Sequence, residues 1–279
     1  MHCKIYVKSD HPDHKQKGNK MLTWIIDQHV DRVKGVKTPF IDEARARGHI
    51  VHGLRDSLIP KQLDVSHITI SRPTIVRGSH GFVNYVQREL SPTPGGFYNP
   101  AEFEPTVFAP IFKELFLNYG YQVTTYGNFI TNRDKFRGKI FIKPLNNIKL
   151  FNGITIEDGE DLSDRHYHKF LKWFAPDTSA EIVVSPAVEV GKEYRMVVVD
   201  KTPVAGSEYK VENKEQAPKE VYEFVEKLTQ IWNPMDVYVI DIAETSNGYK
   251  IVEYNQFGSS GVYECDQSKI IDALEILLT

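Results

Sequence analysis

Asp241, Glu253 and Asn255 stand where a buried strand would carry valine or isoleucine. The stretch VYVIDIAETSNGYKIVEYN, residues 237–255, reads as two apolar strands joined by a polar turn, each interrupted by oxygen-bearing side chains. The turn decides whether those side chains meet. A two-residue loop of Asn247 and Gly248 pairs Ser246 with Tyr249, sets Asp241 opposite Tyr254 and turns Asp241 and Glu253 to opposite faces. A three-residue loop, with Gly248 left-handed, pairs Thr245 with Tyr249 and sets Asp241 opposite Glu253, with Asn255 on the same face. That second register gathers two carboxylates and an amide oxygen, a set suited to a hard cation such as Mg²⁺ held partly by substrate phosphates. Without a cation, carboxylates that close repel. The competing reading is a one-sided sheet, on which alternating polar residues are simply solvated.

Basic residues elsewhere could meet the phosphates. In KIFIKPLNNIKLFNG, Lys143 ends an apolar strand before a polar turn that carries Lys149 and Gly153. Such a lysine can pair with phosphate while backbone N–H groups close over it, although the P-loop pattern is absent. In SAEIVVSPAVEVGKEYRMVVVDKTPVAGSEYK, Val184, Ser185 and Pro186 interrupt one strand ahead of Glu189 and Glu193. Arg195 lies inside the next strand and Lys210 closes the one after. An arginine facing a sheet interior needs an anionic partner, whereas on the outer face it needs none. Beyond Asn255, NQFGSSGVY offers the hydroxyls and N–H groups of Ser259, Ser260 and Gly261 to an anion, or forms a plain turn into the last helix.

These residues need a scaffold. With 279 residues and 41% hydrophobic content the chain can bury a sizeable core. A net charge of -3 supplies no global positive field, so nucleic acid and anionic lipid are not expected partners. Two cysteines, Cys3 and Cys265, exclude a disulfide framework and a cysteine zinc site. MHCKIYVKSDHPDHKQK has no apolar signal-peptide core and no apolar run suffices to cross a bilayer, so a soluble cytoplasmic protein is expected.

The spacing of Met21, Leu22, Ile25, Ile26 and Val30 predicts a helix after a strand at CKIYVK. TPFIDEARARGHIVHGL predicts a helix capped by Thr38, with Pro39 at its first position and Gly48 at its end, and then a strand. SHITIS reads as a strand, FVNYVQREL as a helix, and AEFEPTVFAPIFKELFLNYG as a helix complicated by Pro105 and Pro110. The breaker-rich SPTPGGFYNP places a domain join near residue 100, giving units 1–100 and 101–279. Six β-rich segments follow with helices only at KEQAPKEVYEFVEKLTQIW and DQSKIIDALEILL, which predicts an α+β fold with antiparallel sheets flanked by helices.

In order, these segments resemble the ATP-grasp superfamily, especially the RimK-like carboxylate-amine ligases found in small phage and bacterial families. FIKP, EYRMVVVD and the Asp241, Glu253, Asn255 set carry the resemblance, over about residues 100–279. The amino-terminal part would be a small αβ pre-ATP-grasp domain. The resemblance implies that Lys143, with Lys149 in the lid segment, contacts ATP, that Val184 to Pro186 form a hinge at the adenine edge, and that Glu193 binds ribose. It further implies Arg195 and Lys210 at the transferring phosphate or acyl group, and two Mg²⁺ ions on Asp241, Glu253 and Asn255. The glycine-rich lid of the superfamily is reduced to LNNIKLFNG, and Lys113 and Lys139 are candidates for the upstream lysine.

The implied reaction converts a carboxylate to an acylphosphate that an amine attacks, with an amino acid, peptide or protein tail as substrate. It rests on positioning and charge neutralisation. Removing Asp241 should then abolish chemistry more thoroughly than it weakens folding. An ATP-dependent kinase and a non-catalytic nucleotide-binding protein are the competing functions. His11 with His14 and His166 with His168 have metal-compatible spacing but lie in solvated polar segments. Arg72, Arg77 and Arg88 suit a substrate-facing or interdomain role.

Overall fold

Five consecutive buried residues, Thr23–Asp27, form strand β1 where the spacing predicts a helix. An uninterrupted apolar run satisfies the helical template as well as the strand one, and β-branched Thr23, Ile25 and Ile26 favour the strand once both its faces are covered. The computed structural model describes residues 21–28, 40–54, 64–70, 73–90, 97–146, 151–160, 178–209 and 215–279. CKIYVK, Thr38, Pro39 and the four histidines weighed as metal ligands lie outside them.

Helix α1, Phe40–Ala46, leads through Gly48 at φ +80° into β2, Ile50–Leu54. The expected strand SHITIS is not one within its described residues 66–70; the strand lies just beyond, as β3, Thr74–Arg77. Strands β2, β1 and β3 pair in parallel in that order. Helix α2, His80–Glu89, begins where the Ser79 side chain accepts a hydrogen bond from the Phe82 N–H.

The long helix expected after residue 100 is broken. Helix α3 covers only Pro105–Phe112, with a short 3₁₀ turn on either side, and Lys113 at φ +47° ends it. Pro110 inside α3 lacks the N–H that would extend the ladder. Strand β4, Gln122–Thr125, and helix α4, Tyr126–Thr131, follow, both unforeseen. Then come β5, Ile140–Pro144, β6, Ile154–Ile156, and β7, Glu181–Pro186. These four strands form an antiparallel sheet in the order β4-β7-β5-β6.

The second antiparallel sheet has the order β11-β10-β8-β9. It comprises β8, Glu193–Val199, β9, Thr202–Glu208, β10, Val237–Thr245, and β11, Gly248–Gln256. Helices α5, Lys219–Thr229, and α6, Gln267–Leu278, stand where the sequence predicts them.

Alternation along β8 and β10 separates two cores. Tyr194, Met196, Val198, Tyr238 and Ile240 pack against α3 and α5 with Phe108, Phe112 and Val225. Val197, Val199, Val237 and Val239 turn the other way, into a core shared with Trp24 of β1, Phe40 of α1 and Ile270 of α6. The parallel sheet is thus welded to the carboxy-terminal one by apolar burial, the main favourable contribution to folding. Among the described residues no helix is long and apolar enough to cross a membrane.

Candidate active site

Arg195 and Asp241 continue that shared-core face of β8 and β10, two positions beyond Val197 and Val239. The hairpin that brings Glu253 and Asn255 beside them follows neither expected loop. Thr245 pairs with Gly248, so the loop is Ser246 and Asn247, and Gly248 has φ +89°. The register then shifts between Asp241 and Ile242, with Val252 as the extra residue, and this bulge places Asp241 opposite Glu253. The juxtaposition expected of the longer loop is reached by an irregularity inside the strand.

The acids are held by cationic and amide groups. Asp241 accepts from Arg195 Nε at 2.8 Å and Arg195 Nη2 at 2.6 Å, a bidentate pair in which both residues are buried. Burial works against the Arg195 charge, but Asp241 outweighs it and raises the guanidinium pKa further. The guanidinium also lies 4.9 Å and 4.8 Å from the ring centroids of Tyr209 and Tyr263. Burial, opposed by Arg195, pushes the Tyr209 phenol well above its ordinary range, keeping it neutral. Asn255 Nδ2 donates to Asp241 Oδ2 at 3.2 Å and to Glu253 Oε1 at 2.9 Å.

From the facing sheet, Lys143 Nζ stands 3.7 Å from Glu253 Oε2. Its neighbours Ile140 and Ile142 point into the core of their own sheet, so alternation turns Phe141 and Lys143 the other way. The site therefore lies where two antiparallel sheets present their polar positions to each other. Val184 to Pro186 are the last residues of β7: Val184 is a core residue, and all three are paired with β5. The Ser185 hydroxyl donates to Asn118 Oδ1 at 3.2 Å. The chain crosses between the sheets at Ala187–Lys192, where Val188 and Val190 are exposed. Glu193 opens β8, half-buried, beside this crossing. Lys149 and Lys210 lie outside the described residues. Lys139 forms an exposed pair with Glu157 at 2.9 Å, and Lys113 is exposed at the end of α3.

The loop after β11 is gripped from behind. Arg77, at the end of β3, donates to the Phe257 and Ser260 carbonyls at 2.7 Å each, and its guanidinium sits between the Phe40 and Phe257 rings. Gly78 N–H donates to the Gly258 carbonyl and Arg195 Nη1 to that of Gly261, so carbonyls of Phe257, Gly258, Ser260 and Gly261 are all occupied. Ser260 is buried, Ser259 half-buried, and the space beside Gly261 Cα is open. The sequence offered Arg77 only as one of three arginines. Arg88 turns out to be an exposed partner of Glu89, and Arg72 lies outside the described residues.

The donor set fits a divalent cation. Asn255 Oδ1 is buried and finds no hydrogen-bond partner among the described residues, the state expected of an oxygen that a cation would complete. Among those residues no group of three or more His, Cys, Asp or Glu side chains is arranged to hold a metal. A cation here would rely on Asn255 and on ligand oxygens as well as on carboxylates, as Mg²⁺ bound with phosphates does.

Comparison with known proteins bears on the family and the fold. A family profile describing an ATP-grasp domain, the second family of its clade, matches residues 121–273, more than half of the chain. No curated protein matches by sequence. Among solved structures, the RimK domain ATP-grasp protein from Sphaerobacter thermophilus is similar with a TM-score of 0.60 at 14% identity, covering 90% of this chain and 99% of that one. The D-cycloserine synthetase DcsG gives 0.56 at 11% identity, covering 93% and 100%. The ATP-grasp ligase PsnB complexed with a minimal precursor gives 0.54 at 14%, covering 92% and 99%.

Proposed function

Because this chain belongs to the ATP-grasp superfamily, in the clade family whose profile it matches, we propose that it is an ATP-dependent carboxylate-amine ligase working with Mg²⁺. The observation that carries this reading is the meeting of Lys143 with the Asp241, Glu253 and Asn255 set across two sheets. A phosphate chain entering between the sheets would meet Lys143 from one side and metal ligands from the other. Mg²⁺, when bound, would offset phosphate charge; two such ions are our reading, held by Glu253, Asn255 and Asp241.

In this reading Arg195 and Lys210 stabilise charge at the transferring phosphoryl or acyl group, and Lys149 and Glu193 contact nucleotide. The backbone near Val184 to Pro186, extended by the crossing at Ala187–Lys192, borders the adenine, whose apolar faces suit exposed Val188 and Val190. The amides and hydroxyls of Ser259, Ser260 and Gly261 receive phosphate or the acceptor substrate. The γ-phosphoryl group passes to a substrate carboxylate, and an amine displaces phosphate from the acylphosphate to form an amide. Relatives named ligase and synthetase support the reaction class. An amino acid, peptide or protein tail fits as acceptor, in a reducing cytoplasm. Residues 1–100 would form the pre-ATP-grasp unit and 101–279 the ATP-grasp unit.

Thermal unfolding with ATP, Mg²⁺ and both together tests the site, since a ligand that binds only the native state raises its stability. The reading expects a shift with both that exceeds the sum of the separate shifts, followed by ADP release in a screen of acids and amines. No shift at millimolar Mg-ATP overturns it. ADP release with phosphorylated product and no amine requirement would identify a kinase, and firm binding without ADP release in any mixture a nucleotide-binding protein.

A further inference from the structure

We propose that Tyr263 is a specificity-determining residue: beside the open face of Gly261 it forms a corner that receives the carboxylate of the acid substrate, and the chain keeps a strained turn to place it there. This inference rests on the ligase reading of the site. Tyr263 has φ +47°, at the second position of a turn in which the Cys265 N–H donates to the Val262 carbonyl at 3.0 Å. Glycine and asparagine suit such a position, whereas a bulky side chain is strained in it. Other residues with positive φ have local reasons for it: Asp200 and Lys201 are the two loop residues between β8 and β9, and Lys113 ends α3. A strained aromatic residue beside a candidate binding loop points to a role that the turn itself does not require.

Packing accounts for the ring but not for the hydroxyl. The Tyr263 ring centroid lies 4.8 Å from the guanidinium carbon of Arg195 and 4.9 Å from the centroid of Tyr209, edge to face. Phenylalanine would cover the arginine as well. The hydroxyl has work of its own: burial raises the Tyr209 pKa, and a hydrogen bond with Tyr263 raises it further, against Arg195. A phenol that such a bond makes harder to deprotonate is the donor in it, so the Tyr263 oxygen accepts and its own hydrogen points away from Tyr209. Arg195 Nη1 also donates to the Gly261 carbonyl at 2.8 Å, so one guanidinium holds Gly261 and Tyr263 side by side. Nothing lies within 4 Å of where a Gly261 Cβ would stand, which leaves room for a ligand.

The chemistry of the corner selects an acid over an amine. The carbonyls of Phe257 and Ser260 accept from Arg77, that of Gly258 from the Gly78 N–H and that of Gly261 from Arg195. These backbone acceptors are engaged by the protein's own donors, and the Tyr263 oxygen is engaged by Tyr209. A carboxylate needs only donors and can accept from the Tyr263 hydroxyl, whereas an ammonium has only donors and needs acceptors. The acid substrate therefore binds at this corner and the amine approaches from another side.

Hydroxylamine tests the acid side without the natural amine. Its nitrogen attacks the carbonyl carbon of the acylphosphate, the C–N bond forms as the C–O bond to phosphate breaks, and the products are phosphate and a hydroxamate that ferric ion reveals by colour. A panel of amino acids, dicarboxylates and peptides with free carboxyl termini is assayed with Mg-ATP and hydroxylamine, and the acid giving most hydroxamate serves for kinetics. Tyr263→Phe should raise KM for that acid about 10- to 100-fold, the loss of one hydrogen bond to an anion, while KM for ATP stays within about twofold. Gly261→Ala meets no neighbour within 4 Å, so it should fold as wild type and still raise KM for the acid by filling the open space. Both variants should keep the Mg-ATP shift in thermal unfolding. If either leaves KM for the acid unchanged, or KM for acid and ATP rise alike, the subsite is wrong while hydroxamate formation still supports the ligase reading. If wild type binds Mg-ATP but forms no hydroxamate with any acid of the panel, the ligase reading fails and this inference with it.

Discussion

Arg195 and Asp241 face each other across β8 and β10 and are joined by two hydrogen bonds of 2.8 and 2.6 Å, with both side chains withdrawn from water. Breaking such a pair from one side leaves a buried charge without its counter-charge, at a cost of about 3–5 kcal/mol. The sequence suggested that losing Asp241 would harm chemistry far more than folding; the pair requires that it harm both. Asp241→Ala and Arg195→Met should each lower the urea midpoint with little change in slope. A double variant, Arg195→Met with Asp241→Leu, should recover much of the loss. Single variants as stable as wild type would show that the pair contributes little.

Arg77 ties the parallel sheet to the loop that follows the metal-ligand hairpin. Hydrogen bonds from a charged donor contribute about 1.5–3 kcal/mol each, and two of them end on the carbonyls of Phe257 and Ser260. Arg77→Met, which keeps much of the packing between Phe40 and Phe257, should lower stability by about 2–4 kcal/mol. Amide exchange should rise at Gly258 to Gly261 more than in α5, which packs into the core on the other face of the carboxy-terminal sheet. Equal loss of protection in both places would mean that Arg77 supports the whole fold rather than this loop.

Much of the second half was legible because its strands alternate: Arg195 and Asp241 each occupy a position whose neighbours two residues away are valines of the shared core. The composition of EYRMVVVD and VYVIDIAE therefore marks both the sheet and the place where its apolar face becomes polar. The bulge at Val252 was not legible, since nothing in KIVEYN distinguishes an extra residue from a regular one; only the chemistry of Asp241 and Glu253 made their meeting worth expecting. Strand β1 is not legible as a strand because TWIID is buried on both sides and has no period to display. Burial of Arg77 depends on Phe257, 180 residues away, and no local pattern carries that information.

His49 should make the protein less stable in mild acid. Its Nδ1 accepts the Leu22 N–H at 3.2 Å, while Nε2 lies 3.0 Å from Glu275 Oε1 without the alignment of a hydrogen bond. Burial lowers the imidazole pKa, Glu275 opposes this, and nearby Arg47 adds to the lowering. The folded chain thus binds a proton less readily than the unfolded one, whose histidine titrates near 6.5. Stability is intact above that value and declines as pH falls from it toward the lowered pKa. Melting temperatures between pH 7.5 and 5.5 should fall more steeply for wild type than for His49→Asn; parallel profiles would remove His49 as the cause.

Cys265 should report on access to the floor of the site. Its Sγ lies 3.5 Å from the Arg195 carbonyl and 3.6 Å from Ser207 Oγ, and burial pushes the thiol up to about 11. The thiolate is the reactive form, so at pH 8 only about one thiol in a thousand is in that form even before exclusion of the reagent is counted. Alkylation by iodoacetamide, followed at the Cys265 peptide by mass spectrometry to separate it from Cys3, should be far slower in the native protein than in urea. Arg195→Met loosens the layer above Cys265 and should speed labelling, whereas Mg-ATP, by stabilising the native state, should slow it further. Native labelling as fast as that of the denatured chain would contradict the burial on which Arg195, Asp241 and the site they support depend.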